Sequence, residues 1–567
     1  MVGDSGIAGH TDLAPAVTER PDESAQDERS RAGPLPSVRH AGPDSADPSS
    51  RSGGTHAAAD GPQVGDGCAE DRSDPGAVAQ RQPSGLSAVL RRGAVMSAAG
   101  VGAVQVIALV QTLVLAHLLS PAEVGVFAAG TVLTTFVMVF SHSSLSHALI
   151  QRRTEIEDAA ETVFRVTLGS GVVLAGMLLA SAPVLSRVFH DPQVGSVAAV
   201  CSGTVVLTSL MAVPDAMMQR ALQFERRVIV DPANAVAFAT VSISLAVAGF
   251  GVWALVAGYY VSVLVAATAA WWLSGWRPRR GRFSVPLWRE LAVFAFPLLL
   301  ESVVERALEA VEVMLVGQRL QTSALGNYRN GRRLAFLPVT AIIQICSYVL
   351  FPAFAQISGE PERFERGFLR AMGWMWLAVV PASALLGAIG EPVVVLLLGN
   401  EWRGAGVLVE SMAGVGIGFA LMSVCAEACK GAGRPQLINW MTGIGALTAV
   451  PLILILLPHG LFGVGVALSV SAILTGLTGL LVSRSVVHVS HGELAHCLLP
   501  PALAGVCAAV AAGLLERLLL HASEKSVVLG LGLVGLEALV FVALFTAVLQ
   551  AISPTTLTPL RSAVRRS

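Results

Sequence analysis

The stretch PLLLESVVERALEAVEVMLVG, residues 297–317, has the length and apolar background of a helix that crosses a bilayer, yet it carries Glu301, Glu305, Glu309, Glu312 and Arg306. Residues three and four apart share a helix face, and the four carboxylates fall within about 80° of one another. Arg306 flanks that stripe. A charge near the centre of a bilayer helix costs roughly 2.5 to 3.5 kcal/mol, so this face does not meet lipid. It pairs, lines a wet cavity, or does both.

The next apolar stretch opens LGNYRNGRRLAFLP (325–338), and Arg329, Arg332 and Arg333 again share a face. A hairpin turning near 318–323 sets Glu312 level with Arg329 and Glu309 level with Arg332. Two readings follow. In one, the charges are an ion-pair ladder clamping two helices together. In the other, part of the ladder lines a cavity, where Arg306, Arg329, Arg332 and Arg333 offer paired donors to a diphosphate or acidic sugar. Glu309 and Glu312 then balance the arginines. Glu301 and Glu305, deeper than the arginine cluster, are the better candidates to carry a coupling proton or sodium ion, because only a carboxyl without a cation beside it releases and takes up protons readily.

The rest of the chain supplies the membrane. Of 567 residues, 53% are hydrophobic and 14% charged, and the mean hydropathy is +0.65, outside ordinary soluble composition. Residues 1–92 differ, with 14 acidic and 9 basic residues among Pro, Gly and Ser. Too few large apolar side chains occur there to offset the entropy of ordering a backbone, so residues 1–90 read as a disordered cytoplasmic tail. No cleaved secretory signal is expected near Met1.

Stretches of about 20 apolar residues fall at 94–118, 124–147, 162–187, 194–214, 228–248, 252–273, 290–316, 325–354, 367–388, 404–425, 435–457, 461–482, 497–519 and 526–550, an expectation of fourteen helices. Loops after even-numbered spans carry 16 basic residues and loops after odd-numbered spans carry 5. The positive-inside bias therefore puts both termini in the cytoplasm. Tryptophans such as Trp253, Trp271, Trp272 and Trp402 sit near span ends, where amphipathic rings favour the interface.

The chain also repeats itself. AHLLSPAEVGVFAAG (116–130) aligns with GQRLQTSALGNYRNG (317–331) at a constant offset, matching Leu119, Gly125, Phe127 and Gly130 to Leu320, Gly326, Tyr328 and Gly331. GFGVWALVAG (249–258) has a looser counterpart in LFGVGVALSV (461–470). Both pairs imply a six-span unit used twice. An even number of spans makes the units parallel, related by an axis along the membrane normal, with a cavity between two lobes. The expected organisation is a first lobe at 91–275, a linker at 276–289, a second lobe at 290–485, two additional spans within 486–552 and a cytoplasmic tail at 553–567. The offset places Gln105 opposite Arg306 and Gln111 opposite Glu312. These glutamines line the same cavity from the first lobe or make interhelical packing bonds.

Other signals are bland. The seven cysteines show no metal-ligand spacing, and Cys425 and Cys429 read as packing residues. His142 and His147 read as interfacial, and His488, His491 and His496 as a solvated loop face. The loops between spans, beginning with LLSPAEVG, leave little room for a catalytic domain, which argues against a membrane glycosyltransferase, ligase or polymerase.

LSHALIQRR, MQRALQFERR, GFGVWALVAG, MLVGQRLQTSALGNYRNGRRL, VLFPAFAQ, LLGNEWRGA and KGAGRP, in that order along residues 88–490, resemble the polysaccharide-transporter (oligosaccharide flippase) family of the multidrug/oligosaccharidyl-lipid/polysaccharide exporter superfamily. Where that family commonly has Asp or Asn ahead of the last apolar turn of span seven, this chain has Glu312. The resemblance implies an all-α polytopic transporter moving a polyprenyl-diphosphate-linked oligosaccharide across the cell membrane for surface polysaccharide assembly. It implies no enzymatic chemistry, no cofactor and no nucleic acid. It implies as partners the lipid-linked oligosaccharide, membrane lipids, a polysaccharide polymerase and glycosyltransferases. A drug/cation antiporter and a lipid II flippase of the same superfamily are the alternatives.

Overall fold

The computed structural model describes residues 84–553 apart from 143, 153, 222–223 and 279–280. The expected tails fall largely outside the described residues. Among the described residues there is no strand.

The first half is built from α1 (Ser84–Leu118), α2 (Pro121–His142), α3 (Ser144–Gln151), α4 (Ile156–Val188), α5 (Pro192–Cys201), α6 (Gly203–Arg220), α7 (Phe224–Val247) and α8 (Val252–Ser274). The second half contains α9 (Val285–Ile357), α10 (Pro361–Leu398), α11 (Arg403–Ser411), α12 (Ala413–Gly431), α13 (Ile438–Leu456) and α14 (Gly460–Ser483). A last pair follows, α15 (His491–Leu515) and α16 (Val527–Ile552).

Each stretch read as a span falls on helix. By length and apolarity alone, eleven helical runs among the described residues qualify. One of them, Pro435–Ser483, contains both α13 and α14. The charge-bearing α9 is not among the eleven, so apolarity by itself does not give fourteen.

Local chemistry sets several boundaries. Asp191 caps α5, its side chain accepting from Gln193 N at 2.9 Å, with Pro192 at the first helical position. Ser284 caps α9 in the same way through Leu287 N. Ser490 and Glu493 form a reciprocal capping box at the start of α15. α9 is a hairpin of two arms, 285–320 and 322–357, because Gln321 adopts φ 71°, ψ 169°. This is a sparsely populated backbone state for a residue with a side chain.

The repeat is visible at the corners. α2 crosses the 322–357 arm of α9 so closely that a Cβ added to Gly125 would overlap the Thr322 carbonyl oxygen, and one added to Gly326 would overlap that of Pro121. Pro121 and Thr322, like Gly125 and Gly326, are equivalent at the repeat offset, so the contact is its own mirror across a two-fold axis. Only glycine lets two helix backbones approach this far. Short α5 leads into α6 as short α11 leads into α12. The largest apolar core is shared by both halves, including Val126, Phe127, Val194 and Val197 with Val316, Leu325, Trp402 and Leu408.

Trp402 bolts the halves together near the same corner. It is fully buried, and its indole N–H donates to the Ala116 carbonyl at the end of α1 at 2.9 Å. Asn327 adds a bond within the second half, its Oδ1 accepting from Ala405 N at 2.8 Å.

Candidate functional site

The charges of α9 divide between two cavities. The larger, about 380 Å³, lies within the second half, bounded by α9, α12, α13 and α14. Glu305, Glu309, Glu312 and Arg332 reach it, opposite small and hydroxyl residues such as Gly418, Thr442, Gly445 and Ser471. The smaller, about 40 Å³, lies on the seam between halves. There Arg329 and Arg333 of the second half face Gln111, Thr112, Phe127 and Phe238 of the first.

At the base of the large cavity, Glu312 is buried and is held by two donors from the other arm. Tyr328 donates its hydroxyl at 2.9 Å, and Arg332 donates through Nη1. Arg332 also donates to the Tyr328 oxygen at 2.9 Å, closing a triangle. Burying a carboxylate needs such complete pairing. The Arg332 guanidinium rests over the rings of Tyr328 and Phe336 at 5.9 and 5.7 Å.

The pairing register differs from the expectation that set Glu312 level with Arg329. Glu312 takes Arg332, and Glu309 takes Arg306 of its own arm at 2.6 Å. The cause is the lean of helical side chains toward their own N-terminus. In antiparallel arms this tips Glu312 and Arg332 toward each other. Arg329, one turn nearer the corner, is left to the seam, where its guanidinium lies 4.8 Å from the centre of the Phe127 ring. Phe127 and Tyr328 are equivalents in the repeat, so each half supplies one aromatic floor to one arginine of the 322–357 arm.

The remaining candidates are placed as follows. Gln111 is buried on the seam and donates to Ser242 Oγ at 3.2 Å. Gln105 is exposed on α1 and lines neither cavity. Arg306 is half-exposed beside Glu309 and lines neither cavity itself. The Glu301 side chain lies outside the described residues. Sequence reading did not single out Tyr328, Phe127, Phe336 or Ser242. The repeat alignment had matched Phe127 to Tyr328, and that match was the available signal.

Among the described residues no group of His, Cys, Asp and Glu has the makings of a metal site. The arrangement offers instead a cavity with three carboxylates on one wall, Glu305, Glu309 and Glu312, and a cationic seam at Arg329 and Arg333. Paired guanidinium groups can hold an anion, and an unpaired carboxyl can hold a proton or cation.

These features define a class of protein, the two-lobed all-helical membrane transporters. The fold is that of the lipid II flippase MurJ in its inward closed conformation, with a TM-score of 0.67 at 13% identity, covering 81% of this chain and 98% of that one. An inward-facing multidrug resistance transporter of the MATE family aligns with a TM-score of 0.51 at 15% identity, over 67% of this chain and 94% of that one. At such identities the likeness is one of fold. The family is carried by sequence: residues 114–406, just over half of the chain, match the family described as polysaccharide biosynthesis protein, and the chain belongs to it. It is 24% identical over 339 residues, 59% of this chain and 67% of the relative, to the succinoglycan biosynthesis transport protein ExoT of Rhizobium meliloti (strain 1021). It is 23% identical to the teichuronic acid biosynthesis protein TuaB of Bacillus subtilis (strain 168), over 60% of this chain and 71% of that protein. The lipopolysaccharide biosynthesis protein WzxC of Escherichia coli (strain K12) is 21% identical over 54% of this chain and 63% of its own length.

Proposed function

We propose that this protein is a flippase that moves a polyprenyl-diphosphate-linked oligosaccharide from the cytoplasmic to the outer leaflet of the cell membrane for surface polysaccharide assembly. Both termini lie in the cytoplasm in this reading, and the protein makes and breaks no covalent bonds. The observation that carries the reading is the pair of second-half arginines, Arg329 and Arg333, on a seam whose other wall is first-half Gln111, Thr112 and Phe127. A diphosphate head held there touches both lobes at once, so its binding is coupled to their relative movement. Relatives named for the transport or biosynthesis of succinoglycan, teichuronic acid and lipopolysaccharide support the substrate class.

The seam pocket has room for only about three waters, so this conformation does not admit the head. The Gly125–Gly326 crossing and the Trp402 bond act as the gate that must part. Glu305, on the wall of the larger cavity, carries the coupling proton or sodium ion, Glu309 balances Arg306, and the Glu312–Tyr328–Arg332 triangle fixes the arms. The lobes in this reading are 91–275 and 290–485, joined by the linker at 276–289. A polymerase and glycosyltransferases act on either side of the translocation step.

Deleting the gene tests the reading. Lipid-linked oligosaccharide is expected to accumulate on the cytoplasmic face, and surface polysaccharide to be lost and then restored by the wild-type copy. Normal surface polysaccharide in the deletion strain would overturn the substrate class.

A further inference from the structure

The last helix pair holds titratable groups that the proposed transport route does not use. The buried residues of α16, Gly530, Glu537, Phe541, Phe545 and Leu549, form one stripe. Within it Glu537 is 0% exposed. Among the described residues no donor reaches either of its carboxyl oxygens. The group it faces is a second carboxyl, Glu516, itself only 7% exposed. Glu516 opens the five-residue π-helical turn Glu516–Leu520 that follows α15. Both of its oxygens accept from the backbone N–H of Ala522, at 2.9 and 3.1 Å. That bond caps the turn, but it brings no donor to Glu537.

Two carboxylates facing each other away from water cannot both stay ionised. One proton resolves the conflict. It forms an O–H bond on one carboxyl, which then donates to the other, so a pair with two acceptors and no donor becomes a satisfied one.

Further charged groups of the second lobe become more exposed from Glu410 to Glu391 to Arg403. Glu410 of α11 lies near Glu391 and Glu516. Its Oε1 accepts from Glu391 N at 3.1 Å, and its Oε2 lies 3.7 Å from Arg517 Nη2. The Glu391 carboxylate is in turn paired with Arg403 at 2.7 Å. Side-chain exposure rises from 15% at Glu410 to 27% at Glu391 and 52% at Arg403. Glu391 and Glu410 are thus each paired with one arginine. The other charged groups of the connecting turn, His521, Glu524 and Lys525, are exposed.

We propose that Glu516 and Glu537 form a proton-binding pair, filled from the solvent-exposed side past Glu391 and Glu410, at a site separate from the charged hairpin of α9. The pair sits where the appended helices meet the second lobe. Glu391 lies two residues beyond the bend of α10 at Ile389, and Glu410 lies two residues before Met412, which lines the large cavity. Gain or loss of the proton changes the charge at that joint.

Infrared difference spectra of the full chain in proteoliposomes, recorded between about pH 5 and about pH 9 with and without sodium chloride, test the proposal. The expected result is a protonated-carboxyl band present at the acid end and lost at the alkaline end. That band should be absent from Glu537→Gln and shifted in Glu516→Gln. Should Glu537→Gln fail to fold, Glu537→Asp keeps a carboxyl and should keep a displaced band, while Glu516→Gln still reports on the pair. A band insensitive to pH, or one unchanged in the variants that fold, overturns the proposal. A band abolished by sodium at constant pH also overturns it, because the pair would then be a metal-cation site.

Discussion

The two corners of the molecule, at residues 118–130 and 319–331, share a backbone and differ in chemistry. In each, a helix starts beside a glycine that admits the other, and an aromatic at an equivalent position supports an arginine. Both arginines, however, belong to the second half, as does the cavity of about 380 Å³. The first half contributes neutral hydrogen-bonding and aromatic surface to a seam pocket of about 40 Å³. A duplicated fold can thus keep its crossing symmetric while one copy takes on the charges, because the crossing depends on backbone approach and the charges depend only on which face of one helix they occupy.

The largest effect should come from removing a charge that only the second half has. Arg332→Ala leaves Glu312 buried with Tyr328 alone, a loss expected to destabilise the fold by about 3 to 5 kcal/mol. Thermal unfolding in detergent measures it. Arg306→Ala, in a pair about half exposed on both sides, should change stability by less than about 1 kcal/mol.

The shared feature comes next. Gly125→Ala and Gly326→Ala each push a methyl group into the opposing backbone, and each should cost about 1 to 3 kcal/mol. The two effects should be nearly equal if the crossing is symmetric. A cysteine pair introduced across the corner should cross-link less readily in either variant.

Smaller effects follow from single hydrogen bonds. Trp402→Phe keeps most of the buried ring but leaves the Ala116 carbonyl without its indole donor. It should cost about 0.5 to 1.5 kcal/mol and raise hydrogen exchange at the end of α1. Gln111→Ala, losing the bond to Ser242, should lower the unfolding midpoint measurably. Gln105→Ala should stay within about 0.5 kcal/mol of wild type, since that side chain is exposed and lines neither cavity.

Much of the architecture was legible in the sequence because it rests on local periodicity. Three of the glutamates at helical spacing, Glu305, Glu309 and Glu312, do share one cavity, and the repeated Gly125/Gly326 context does mark a close crossing. The pairing within the hairpin was less legible. Backbone level alone set Glu312 against Arg329, and the lean of side chains moved the bond to Arg332. Nor could spacing show that Arg329 and Arg333 turn to the seam while Glu305 and Glu309 turn to the larger cavity. That division depends on which helices pack on each side of α9. Trp402 meets a carbonyl 286 residues away, and no local pattern encodes such a contact. Glu537, one carboxyl in an otherwise apolar run, became informative only when Glu516 was found opposite it.

In the proposed route the seam arginines hold the anionic head of a lipid-linked oligosaccharide. Translocation of a polyprenyl-diphosphate oligosaccharide across proteoliposomes containing wild type, Arg329→Ala with Arg333→Ala, or the control Arg319→Ala puts that role to the test. Wild type and the control should translocate at the same rate, and the seam double variant should lose at least tenfold while unfolding as a cooperative protein, about 1.4 kcal/mol of lost head-group binding. Undiminished translocation by a folded double variant would contradict the account.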